Sequence, residues 1–137
     1  MSDKAYGGTT PQTDKDRILV VYNICGIKRD NTYQYPIFLH SIMNQKFDGE
    51  VVVAVSACCP REQTIPYLKD EFPNYHYNVI KEPYPVNVTF NKTVLDCVER
   101  FGEFDGYFYH ACDVTINADN VYQELFDCLK SNDSLGL

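Results

Sequence analysis

A chain of 137 residues, 45% of them apolar, fits one globular domain long enough to bury roughly two-thirds of its unfolded surface. Its formal net charge of -7 argues against nucleic-acid binding, which needs a concentrated basic surface, and no apolar run approaches the ~20 residues of a membrane helix. An acidic chain can still hold an anionic nucleotide through a metal ion, backbone N–H groups or a helix N-terminus.

Residues 1–16 are polar, lack the apolar centre of a signal peptide and read as a flexible leader. The domain is expected over residues 17–131, with 132–137 as a disordered tail. Arg17 to Ile24 is a continuous β-branched run, the mark of a strand covered on both faces. A turn-rich loop, Cys25 to Asn31, follows it. From Tyr33 to Lys46 the period becomes helical, with Tyr35, Phe38, Leu39, Ile42 and Met43 on one stripe and Pro36 in the first turn. Glu50 to Ser56 is a second buried strand, and Glu62 to Glu71 a helix closed by Phe72-Pro73.

Tyr75 to Ile80 alternates more and is expected near a sheet edge. Phe90, Val94, Cys97, Val98 and Phe101 recur at helical spacing, predicting a helix from Asn87 to Arg100 that Gly102 ends. A fourth buried strand is expected from Gly106 to Val114. Asn117 is the expected N-cap of a last helix with Val121, Leu125, Cys128 and Leu129 facing inward. Such strand–helix alternation predicts an α/β fold, a three-layer sandwich with a mostly parallel sheet and right-handed crossovers.

Those crossovers place all four strand C-termini on one rim, where open α/β sheets bind ligands. Asp113 ends the fourth strand, expected at the sheet centre, and reads as a ligand for a hard divalent cation or as an acid capping the loop. Asn91 and Lys92 lie in the first turns of the third helix, on a solvated face or within reach of a phosphate. Lys28 and Arg29, after the first strand, are loop solubilisers or nucleotide contacts. His110 is a packed strand histidine or a ligand.

Cys25, Cys58, Cys59 and Cys112 fall near the same rim, but without metal-ligand spacing. With Cys97 and Cys128 they read as reduced thiols of a cytoplasmic protein. Three N-x-S/T sequons, at Asn87, Asn91 and Asn132, would matter only in a secretory compartment. The single glycine of Asn23-Ile-Cys-Gly26 disfavours both a dinucleotide fingerprint and a P-loop.

Three segments resemble the N-terminal, nucleotide-binding half of a GT-A-fold glycosyltransferase of the family-2-like kind. Ile18-Leu-Val-Val-Tyr-Asn23 with Leu39-His-Ser-Ile-Met-Asn-Gln45 is similar to the family's first strand and following helix. Phe90-Asn-Lys-Thr-Val94 is placed like the helix before the metal strand, and Asp105 to Asp119 like the strand and loop carrying the DxD motif.

The resemblance implies Mn2+ or Mg2+ held by Asp113 against the diphosphate of a nucleotide-sugar donor. It places Tyr22, Asn23 and Ser56 by the base and ribose, and Lys92 by the sugar-phosphate. The acceptor it implies is a saccharide or a protein. Ala111 stands where the first acid of DxD is usual, and Ser56-Ala57-Cys58 replaces an acid at the second strand's end. The family's acceptor-binding half has no counterpart here, so no residue is assigned as catalytic base. The expectations are therefore a metal-dependent glycosyltransferase or a portion of one, an inactive binding module on the same fold, or an unrelated doubly wound protein. An incomplete half with an exposed apolar flank would also favour a homo-oligomer.

Overall fold

The computed structural model describes residues 15–26 and 31–131. The expected leader and tail, and Lys28 and Arg29, lie outside them apart from Lys15 and Asp16. Four strands and four helices alternate: β1 (Asp16–Cys25), α1 (Tyr35–Met43), β2 (Gly49–Cys58), α2 (Thr64–Glu71), β3 (His76–Ile80), α3 (Val86–Phe101), β4 (Gly106–Ala111) and α4 (Val121–Ser131). The sheet has the order β3-β2-β1-β4, and every pairing is parallel. No helix among the described residues is long and apolar enough to cross a membrane.

Burial follows from that order. β1 is flanked by β2 and β4, and its residues from Ile18 to Ile24 are all buried. Its even-numbered side chains join a core with Tyr35, Leu39 and Ile42 of α1, Leu68 of α2, and Tyr122 and Phe126 of α4. On the opposite face Leu19, Val21 and Ala54 pack with Cys97 of α3 and with Phe104. Three helices thus cover one face and one covers the other. β3 lies at an edge, as its alternation predicts.

The N-terminal rim is stitched by Arg17. Its Nε reaches Glu50 Oε1 at 2.8 Å, and its other nitrogens donate to the carbonyls of Glu103 and Phe101, both at 3.0 Å. The guanidinium also lies 4.6 Å from the Phe104 ring centre. Gly102, at φ 85° and ψ 179°, terminates α3 with its N–H on the Val98 carbonyl, a positive-φ conformation that glycine adopts without steric cost.

Three expectations need correction. β4 ends at Ala111, so Cys112 and Asp113 belong to a turn closed by Val114 N–H on the Ala111 carbonyl, at 3.3 Å. Among the described residues β4 is also an edge strand rather than a central one, and α3 meets it through the Phe90 ring, 5.8 Å from that of Tyr109. Gly106, Phe108 and His110 are buried, while Tyr107 and Tyr109 are exposed.

Finally, α4 begins at Val121 rather than after Asn117, because its cap is tertiary. Gln45, beyond α1, accepts from Val121 N–H at 2.8 Å and Tyr122 N–H at 3.4 Å, and donates to the Ala118 carbonyl at 2.6 Å. That start turns Tyr122 and Phe126 inward and leaves Leu125 and Cys128 exposed.

Gln45→Ala strips the acceptor from two first-turn amides of α4. The expected cost is about 0.5–2 kcal/mol in chemical denaturation, with faster hydrogen exchange at Val121 and Tyr122.

Candidate functional site

The chain winds outward from β1 through α1 to β2 and β3, then returns over the other face to β4. The strand order therefore reverses between β1 and β4, and the crevice outside their C-terminal ends is where such sheets take ligands. Asn23 is in register with Ser56 on one side and Ala111 on the other, which defines the last full level of the sheet before the rim.

Directly beneath the rim runs a buried polar ladder. Thr89, in the first turn of α3 and fully buried, donates its hydroxyl to Asn23 Oδ1 at 2.8 Å, with the Val86 carbonyl at 3.0 Å as its alternative acceptor. Ser56, also fully buried, donates to the Thr89 carbonyl at 3.3 Å. One turn further along, Thr93 Oγ1 accepts from Asn78 Nδ2 at 3.0 Å. Hydroxyls and amides from β1, β2, β3 and α3 thus satisfy one another where an unpaired polar group would be costly. Thr89 and Thr93 are the residues that sequence reasoning missed; their spacing of four on the inner face of α3 is the signal that could have found them.

On the other face Tyr22, fully buried, donates its hydroxyl to the Cys112 carbonyl at 2.6 Å. Burial first, then Cys112, Tyr35 and Asp113 nearby, push its pKa up, so it stays a donor. Tyr22, Asn23 and Ser56, expected beside a base and ribose, therefore sit below the surface, with the Tyr22 and Ser56 hydroxyls and Asn23 Oδ1 engaged by the protein itself. They form the floor of the crevice rather than its lining.

Asp113 is exposed on the turn above. Its charge is felt by Tyr22 and by Tyr109, whose pKa is raised by burial first and by Cys112 and Asp113 next. Lys92 is elsewhere: it lies 5.0 Å from the Tyr84 ring centre and lines a cavity of about 500 Å3 with Asn78, Glu82 and Asp96 on the β3 side. Three strand spacings, roughly 14 Å, separate that flank from β4, so the structure does not bring Lys92 to Asp113. Asn91 is exposed on α3.

Among the described residues no three His, Cys, Asp or Glu side chains converge into a metal-sized group. Asp113 fits a cation only where phosphate oxygens and water complete its shell, a set that Mg2+ accepts. The thiols offer no alternative: Cys58 is buried, donates to the Glu82 carbonyl at 3.4 Å, and burial pushes its pKa up to about 11.

His110 is buried between Tyr122 and Val114. A carbonyl can only accept, so Nε2–H donates to Val114 O at 2.6 Å, and Nδ1 accepts from the Tyr122 hydroxyl at 2.8 Å. Burial lowers the His110 pKa, against the opposing pull of the Val114 bond.

No family model matches the sequence, and no curated protein matches it. Its fold is nonetheless shared with solved structures of TarS from S. aureus. The TarS 1–349 crystal structure superposes with a TM-score of 0.57 at 17% identity, covering 85% of this chain and 33% of that one. A second TarS crystal structure gives 0.57 and 17%, covering 84% of this chain and 20% of the other. The chain spans about a third and a fifth of these two neighbours' lengths. The likeness is one of fold: the parallel-sheet α/β architecture described above is shared with part of TarS.

Two outcomes are expected. Thr89→Val leaves Asn23 Oδ1 without its donor and should cost about 1–3 kcal/mol in urea unfolding, whereas Thr89→Ser should recover most of it. For His110, the folded pKa lies below the ordinary 6.5, so its contribution is fully present above that value and is lost as pH falls toward the folded pKa. Thermal melts between about pH 7.5 and pH 5 should therefore show the unaltered chain losing more stability than His110→Gln.

Proposed function

We propose that the chain binds a nucleotide-activated sugar together with Mn2+ or Mg2+, and that it belongs to the machinery transferring that sugar to an acceptor hydroxyl on a saccharide or a protein. The observation that carries this reading is Asp113, exposed on the turn after β4 and beside the crevice where the strand order reverses, in a glycosyltransferase-like fold. In this reading Asp113 holds the cation against the donor's diphosphate, which supplies its remaining ligands. Such an ion would supply charge neutralisation for the departing diphosphate.

Tyr22, Asn23 and Ser56 act here by fixing the floor on which base and ribose rest, with backbone at the strand ends making the contacts. Lys92, on the β3 flank, reaches an anionic part of the donor only at a distance from Asp113. The protein works in the cytoplasm, where its thiols stay reduced.

A second reading, a GT-A-like module that binds without transferring, is favoured by one observation. Ala111 occupies the level of Asn23 where a second acid would share the cation, leaving Asp113 as the carboxylate for the task among the described residues.

Titration calorimetry with UDP and GDP, with and without Mn2+, tests the primary assignment. Metal-dependent binding by the unaltered chain that Asp113→Ala abolishes is the expected result; unchanged affinity in the variant overturns the assignment. Sugar-nucleotide hydrolysis or transfer above background separates the first reading from the second.

A further inference from the structure

We infer that Tyr22 and His110 are positioning residues for Asp113, each fixing one of the two backbone carbonyls that flank it. The inference rests on the cation-binding reading of that acid. The Cys112 carbonyl, on one side of Asp113, accepts from the Tyr22 hydroxyl at 2.6 Å. The Val114 carbonyl, on the other side, accepts from His110 Nε2–H at 2.6 Å.

Both donors rise from the buried, helix-covered face of the sheet and stand on adjacent strands in register with each other, Tyr22 on β1 and His110 on β4. Their rings pack at 5.8 Å, so the two anchors brace one another. Behind them the Tyr122 hydroxyl, 2.8 Å from Nδ1, holds the imidazole as the Nε2–H tautomer that can donate to Val114. The turn itself adds Val114 N–H on the Ala111 carbonyl at 3.3 Å.

A turn tied at three backbone points around one carboxylate has little freedom to carry that carboxylate away from the crevice. This matters more here than where two acids share a cation. Where one carboxylate carries the protein's share of the cation's ligands, any wandering of its turn falls directly on affinity. Support of this kind for a ligating residue typically governs about 10–100-fold in metal affinity.

The test measures Mn2+-dependent and metal-free binding of UDP and GDP by the unaltered chain, Tyr22→Phe, His110→Leu, His110→Gln and Asp113→Ala, each below its own melting transition. Tyr22→Phe and His110→Leu should weaken metal-dependent binding about tenfold or more, with metal-free binding unmoved in His110→Leu. His110→Gln, whose amide can donate to Val114, should recover much of the loss.

Deuterium exchange over residues 112–115 should rise in the two weakened variants. If Asp113→Ala abolishes metal-dependent binding but Tyr22→Phe and His110→Leu bind as the unaltered chain does, the positioning role is overturned and the cation reading stands. If the unaltered chain shows no metal-dependent binding, the cation reading falls and the inference with it. Should His110→Leu fail to fold, Tyr22→Phe, which removes one oxygen from a ring that stays packed, decides the matter.

Discussion

A right-handed crossover admits only one way back from β3 to β4. Since α1 and α2 carry the chain outward over one face, the return past β2 and β1 must run over the other, and α3 is the helix that makes it. Most of the architecture depends on this handedness. It gives α3 a whole face to itself, sets three helices opposite it, and leaves β1 as the strand on which both directions of winding meet. The reversal point, and hence the crevice, is a product of chirality before any side chain is chosen.

The side chains then treat the two faces differently near the rim. On the α3 side, Asn23, Ser56, Asn78, Thr89 and Thr93 exchange hydrogen bonds where the apolar packing of Leu19, Val21 and Cys97 gives out. On the other side, Tyr22 and His110 extend the core upward as rings whose polar ends reach the turn after β4, with the Tyr122 hydroxyl on His110 behind them. Both solutions carry polar groups into a buried zone with their partners in place, the condition under which they confer order rather than penalty.

The β/α alternation, the edge position of the third strand and the glycine stop after α3 were legible because each rests on local chemistry: β-branched runs, alternation, a residue free to take positive φ. The start of α4 was not, since the atom that caps it belongs to Gln45, far off in sequence. Nor was the edge position of β4, where Tyr107 and Tyr109 look as apolar as their neighbours and yet are exposed. Asp113 could be located as the acid at the rim. That Tyr22 and Asn23, adjacent in sequence, point into opposite cores was implicit in strand parity; that the fold engages both beneath the surface depended on Thr89 and Cys112 arriving from elsewhere.

Arg17 gives the molecule a second kind of asymmetry, between the two ends of its strands. An ion pair, two carbonyl contacts and an aromatic ring gather β1, β2 and the α3–β4 connection at the end remote from the crevice. Anchorage at the end remote from the crevice thus draws on none of the hydrogen bonds that order the rim, so the two ends of the sheet are held by independent sets of contacts.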